Sequence, residues 1–311
     1  MTKPLLIAIC LSVSTSIFAS AQERRAAAPA FDRRDLQGIF FDSLDDAIRG
    51  EKPSLSKVRQ MSNQTVAADT EAIANTKMAP GGPNGWSELI SPAALEDAVK
   101  TTKLSFDSIV TTPGAFNSGG YLDARLELSV LATLFAVINE YTGDVRWKDQ
   151  AAAARDLISR TAFNCKAGST QVYNEAKRRK ADLQDLVSGS GLSNRDAEAE
   201  NDWAMVVDRT PLMQYAERLS EQLKSASRDA KSAENNADAI QRDAQLLAMV
   251  GRVLTREGLD EADDEDYAAF SLSMTKAATA VAVAIERGEY ELGPKVGAVT
   301  QSCDACHEMY R

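Results

Sequence analysis

Histidine is nearly missing from this sequence. There is one in 311 residues, His307, so no Ser-His-Asp or Cys-His relay can be assembled away from that position, and no metal site can draw on two imidazoles. Aromatic residues are few, 6% of the chain against 44% hydrophobic residues overall, with alanine abundant. That balance favours close-packed helices over sheets. Positive charge is also short: 35 Lys and Arg face 45 Asp and Glu, for a net charge of −10. A nucleic-acid-binding surface needs a basic face, and the one basic run, KRRK at 177–180, reads as a solvated helix face. Nucleic acid is therefore not an expected partner. No catalytic constellation stands out, and the chain is not expected to be an enzyme.

Cysteine is scarce as well, at four residues. The first, Cys10, lies in MTKPLLIAICLSVSTSIFASA, which has the parts of an export signal. Lys3 is the basic n-region, Leu5 to Phe18 the apolar h-region, and Ala19-Ser20-Ala21 the small-residue cleavage site. Cleavage would leave a periplasmic or secreted protein. After that signal no apolar run approaches the roughly 18 residues of a spanning helix, so no membrane span is expected. Cys165, Cys303 and Cys306 remain, an odd number that makes a poor disulfide framework unless two of them are committed elsewhere.

Residues 22–85 read as a loosely structured leader ending in the turn-rich MAPGGPNG. From Trp86 onward the period is helical. Ser91-Pro92 is a helix start, a capping serine followed by proline at the first helical position. The first helix is expected to reach Val110. Others follow over Tyr121–Tyr141, with Leu122, Leu126, Leu134, Val137 and Ile138 as its stripe, then Arg146–Phe163 and Thr170–Val187. SGSGLSNRDAEAEND at 188–202 reads as a linker. The plan then repeats. Trp203 precedes a Thr210-Pro211 start, and further helices carry Ile240 to Leu254, Tyr267 to Ile285 and Val296 to Tyr310, with Gly258 and Gly288 as stops. The acidic run DEADDEDY at 260–267 reads as a solubilising helix start with negative charge at the positive end of the helix dipole.

DARLELSVLATLFAVINEYTG at 123–143 matches DAIQRDAQLLAMVGRVLTREG at 238–258, and Trp86 and Trp203 each precede a Ser/Thr-Pro start. The halves 86–187 and 203–311 thus read as a duplication with four helices each. The expected fold class is all-α, two tandem antiparallel four-helix bundles behind a signal peptide and a leader.

The chain ends QSCDACHEMYR. C-x-x-C-H is the attachment sequence of a c-type haem. Two thiols add to the porphyrin vinyl groups, and the adjacent imidazole binds iron. On a helix Cys303, Cys306 and His307 share one face, and they continue the Val296–Val299 stripe, so all three are expected to point into the core. Other readings of the same residues stay open. A zinc site would need a fourth ligand from Cys165 or a carboxylate, a thioredoxin-type pair needs a βαβ setting, and Cys303 and Cys306 could form a disulfide. No second histidine is available as a sixth iron ligand within one chain.

CDACHEMYR resembles the end of class II c-type cytochromes, the cytochrome c′ type. In that family the haem motif lies in the fourth helix of an antiparallel bundle and is followed by an aromatic residue and an arginine. The resemblance covers 203–311, reaches 86–187 only through the internal repeat, and does not touch 22–85. It implies one covalent haem c on Cys303 and Cys306, His307 as axial ligand, and Arg311 on the proximal face. RTPLM at 209–213 matches the spacing of the family's distal residue and points to Met213. Some members use a methionine there as sixth ligand, and others leave the site open behind an apolar residue. The first half lacks the motif and is not expected to hold haem. Because family members often pair through their first two helices, the two halves could form an intrachain pseudo-dimer.

These features imply electron transfer through a His307-ligated iron with a redox partner protein, for which an acidic surface suits a basic one. Two alternatives differ in kind: a five-coordinate haem protein binding NO or CO, and a haem-free structural or interaction module.

Overall fold

Side-chain capping sets some of the helix starts, at Ser91, Ser169 and Asp264. The computed structural model describes residues 85–193 and 196–310. Every regular element among them is helical, with no strand. In the first half, α1 spans Pro92–Ile109 and starts where Ser91 accepts from the Ala94 amide, with proline at the first turn. α2 spans Tyr121–Glu140, α3 Ala151–Asn164 and α4 Thr170–Ser188. In the second half, α5 spans Arg209–Ala226, α6 Ala237–Val253, α7 Glu265–Glu286 and α8 Gly293–His307. Two short helices, Trp203–Val206 and Ala230–Asn235, were not expected. α3 begins later than the periodicity predicts because Trp147 sits at φ 67°, in the left-handed region, and a 3₁₀ turn precedes the helix. The expected signal peptide and leader, up to residue 84, lie outside the described residues.

Within the Met78–Arg311 unit, each helix packs on the next in its half, and α4 returns to α1 as α8 returns to α5. The halves meet through equivalent elements: α2 packs on α5, and α6 packs on α1. This exchange explains why α2 and α6 are buried nearly all round from Leu128 to Ile138 and from Asp243 to Val253. In α2, apolar over most of its length, this enclosure leaves only a weak amphipathic stripe. The expected α2 stripe is accordingly only partly right: Leu134, Val137 and Ile138 are core, whereas Leu122 is 55% exposed.

The contacts between halves are polar and mutual. Gln245 of α6 accepts from both the amide and the hydroxyl of Ser91, the N-cap of α1, at 3.1 Å each. Arg125 of α2 pairs with Asp208, the N-cap of α5. Each second helix therefore holds the start of the other half's first helix. Arg218 adds an ion pair to the buried Glu127 at 2.8 Å.

The segment expected as a linker is docked rather than free. The buried Arg155 donates to the Glu198 and Glu200 carbonyls, at 2.6 and 3.0 Å, and to the Asn201 side chain. The basic run at 177–180 is solvated only in part. Lys177 and Arg178 are exposed, but Arg179 pairs with Asp182 at 2.7 Å. Lys180 donates to the Asp107 and Val110 carbonyls at 2.7 and 3.2 Å, where α1 ends and its dipole favours a cation. By length and composition alone α7 could cross a membrane, with a mean hydropathy of 1.5 over 18 residues, although Ser, Thr and Lys residues interrupt it and no unbroken apolar run of that length occurs. Here it packs against α6 and α8.

Candidate cofactor-attachment site

α8 carries the C-x-x-C-H residues on its last two turns. Its start is set by Pro294 in the first turn, where the missing N–H costs nothing and φ is already helical. Val296, Val299 and Ser302 are buried against the core. The stripe continues through Cys303 and Cys306, both half-buried and packed on that core. His307 departs from the expectation that all three residues point inward, because its side chain is exposed. It stands in the final turn of α8.

Cys303 and Cys306 are free thiols. Burial is the main reason both have raised pKa values. Asp304 pushes Cys303 further up while Lys224 opposes it, and Cys303 pushes Cys306 further up while Arg209 opposes that. Both shifts favour the neutral thiol over the thiolate.

Two neighbouring helices line the thiols unequally. α8 packs closely on α7 and only sparsely on α5. From α5, Arg209 pairs with Glu261 and lies 5.9 Å from the Tyr267 ring. Met213 is one turn further along α5 and half-buried against the core, so it shares the helix face of Arg209. From α7, Tyr267 and Ser271 are buried, and their hydroxyls find no hydrogen-bond partner beyond one another among the described residues. A buried hydroxyl pair with no further partner is uncommon in protein interiors. Arg311 lies outside the described residues.

This arrangement bears on each reading of the motif. Among the described residues no three His, Cys, Asp or Glu side chains converge as ligands of one ion. Cys165, the thiol a zinc site would borrow, is buried at the end of α3 beside Glu175 and Arg125. The absence of strands among the described residues leaves the thioredoxin-type reading without its βαβ setting. Covalent attachment asks something different. It needs two reduced thiols on one helix face, separated along a macrocycle edge, with an imidazole beside them free of other partners. Cys303 and Cys306 are free, half-buried thiols on α8, and the neighbouring His307 is exposed.

Sequence reasoning missed Arg209, Tyr267 and Asp264 as neighbours of the motif. The aromatic residue after His307 was the available signal, and Tyr310 does pack against Tyr267, with ring centroids 5.2 Å apart. Asp264 caps α7, accepting from the Asp266 and Tyr267 amides, as the acidic run predicts. The chain was compared with family models, with curated proteins and with solved structures, and none of the three comparisons gave a match.

Proposed function

We propose that the chain is an exported c-type cytochrome whose second half carries one covalent haem and transfers electrons. In this reading α5–α8 form an antiparallel four-helix bundle of the cytochrome c′ kind, α1–α4 form its haem-free counterpart, and the exchanged α2–α5 and α6–α1 contacts are those of an intrachain pseudo-dimer. The observation that carries the reading is the pairing of free, half-buried Cys303 and Cys306 with exposed His307 on the last turns of α8.

Cys303 and Cys306 would each add sulfur to one vinyl carbon and hydrogen to the other, so both thioethers form without an oxidant. His307 would be the proximal ligand, Met213 the distal candidate, and Arg311 a proximal charge. When bound, the haem supplies one reversible electron at iron. The protein's own part would be to hold the His307 imidazole and to set the polarity near it through Arg209, Tyr267 and the acidic residues at the start of α7.

The test is expression in a host with haem-attachment machinery, followed by a pyridine haemochrome assay and optical spectra of both oxidation states. A c-type haemochrome at one per chain, lost in Cys303→Ala/Cys306→Ala, supports the reading. Correctly exported protein without haem overturns it.

A further inference from the structure

We infer that Tyr310 and Asp264 form a latch that positions His307, an inference that deepens the proposed function and rests on it. α8 ends at His307, and the next three residues do not trail away. The Met309 and Tyr310 amides both donate to the Cys306 carbonyl, at 3.1 and 2.9 Å. The Tyr310 ring packs edge-on against Tyr267 and lies 6.3 Å from Phe270. Its hydroxyl donates to Asp264 Oδ1 at 2.9 Å.

Asp264 is itself immobilised. The same Oδ1 accepts from the Asp266 and Tyr267 amides at 2.9 and 3.1 Å, so the carboxylate that receives Tyr310 is already the N-cap of α7. These three bonds also hold the Asp264 carboxyl below its usual range, the Tyr267 amide contributing most. His307 thus lies between Cys306, which accepts two backbone bonds, and Tyr310, whose side chain is tied to another helix. Its backbone is fixed from both directions while its imidazole stays exposed. These contacts are all made by the protein alone, so the backbone that carries His307 is held before any cofactor arrives. Such preorganisation lowers the ordering cost of ligation.

His307 is the only histidine, so its ring carbons give one unambiguous pair of NMR resonances in the full haem-free chain. Tyr310→Phe keeps the ring and removes the hydroxyl. We expect its His307 resonances to move toward those of an unstructured peptide, and amide exchange at 308–310 to accelerate about tenfold, as loss of a hydrogen bond to a charged group predicts. Asp264→Ala should do the same. Asp264→Asn keeps the one oxygen, Oδ1, that both caps α7 and accepts from Tyr310, and should restore most of the wild-type signature. Wild-type ring resonances and exchange rates in both Tyr310→Phe and Asp264→Ala would overturn the latch. So would a failure of Asp264→Asn to rescue while its α7 amides remain protected. Because these readings are taken without haem, they separate from the haemochrome assay, whose failure would overturn the functional reading instead.

Discussion

Trp86 and Trp203 stand against one another with ring centroids 6.3 Å apart and planes tilted by 43°. They occupy the same place in the two halves, each ahead of its first helix. Glu140 accepts from both indole nitrogens, at 2.8 and 3.3 Å, and from Asn201 at 2.7 Å. Arg256 pairs with the same carboxylate, and its guanidinium carbon lies 5.2 and 5.4 Å from the two rings. One acid and one base, from the ends of equivalent segments, thus join both tryptophans.

Glu140→Ala should destabilise the protein by about 2–3 kcal/mol, because it strands the partly buried Arg256 and two indole donors together. For a chain of this size that is a fall in Tm of roughly 5–10 °C, measurable by calorimetry. Glu140→Gln keeps an acceptor and should cost less. If Glu140→Ala melts with the wild type, the cluster contributes nothing.

At Gly251 the backbone of α6 passes close to α7. A Cβ there would lie 2.5 Å from Thr275 Oγ1 and 2.7 Å from the Ser271 carbonyl oxygen. Gly251→Ala should therefore lower stability by about 1–3 kcal/mol despite its better helix propensity. A denaturant midpoint at or above that of the wild type would show that the helices can separate freely.

Cys165 gives a pH signature. Burial, with Glu175 adding to it, pushes its thiol from 9.0 up to about 12. The raised folded-state value means that stability is intact below pH 9 and falls as pH rises toward 12, since only the unfolded chain readily releases the proton. The slope from this group is at most about 1.4 kcal/mol per pH unit. Chemical unfolding between pH 8.5 and 10.5 should show a shallower decline in Cys165→Ala than in the wild type. Equal slopes would refute the assignment.

Met213→Leu tests the distal side in haem-loaded protein. Loss of a low-spin spectrum, with thermal stability changed by less than about 1.5 kcal/mol as expected for a volume-conserving exchange, assigns Met213 as sixth ligand. An unchanged spectrum removes it from that role.

Helix positions were largely legible because their signals are local. Ser91-Pro92, Gly288 and Gly293-Pro294 act on the backbone where they stand. The short Trp203–Val206 helix and the docking of 196–201 were not legible, because Arg155 finds its acceptors more than 40 residues away, and spacing says nothing of such pairs. The same limit applies at the candidate site. Spacing placed Cys303, Cys306 and His307 on one face of a helix, but not where that face stops being covered. Arg209 and Asp264 reach the site from other helices and leave no mark in the motif.

The exchanged contacts between halves have a consequence for concentration. Two separate chains joined through Trp86, Glu140, Trp203 and Arg256 would come apart on dilution. Here the partners are tethered through residues 188–202, so each half meets the other at a fixed effective concentration. The pairing is therefore expected not to depend on protein concentration, which a melting temperature that stays constant on dilution would check.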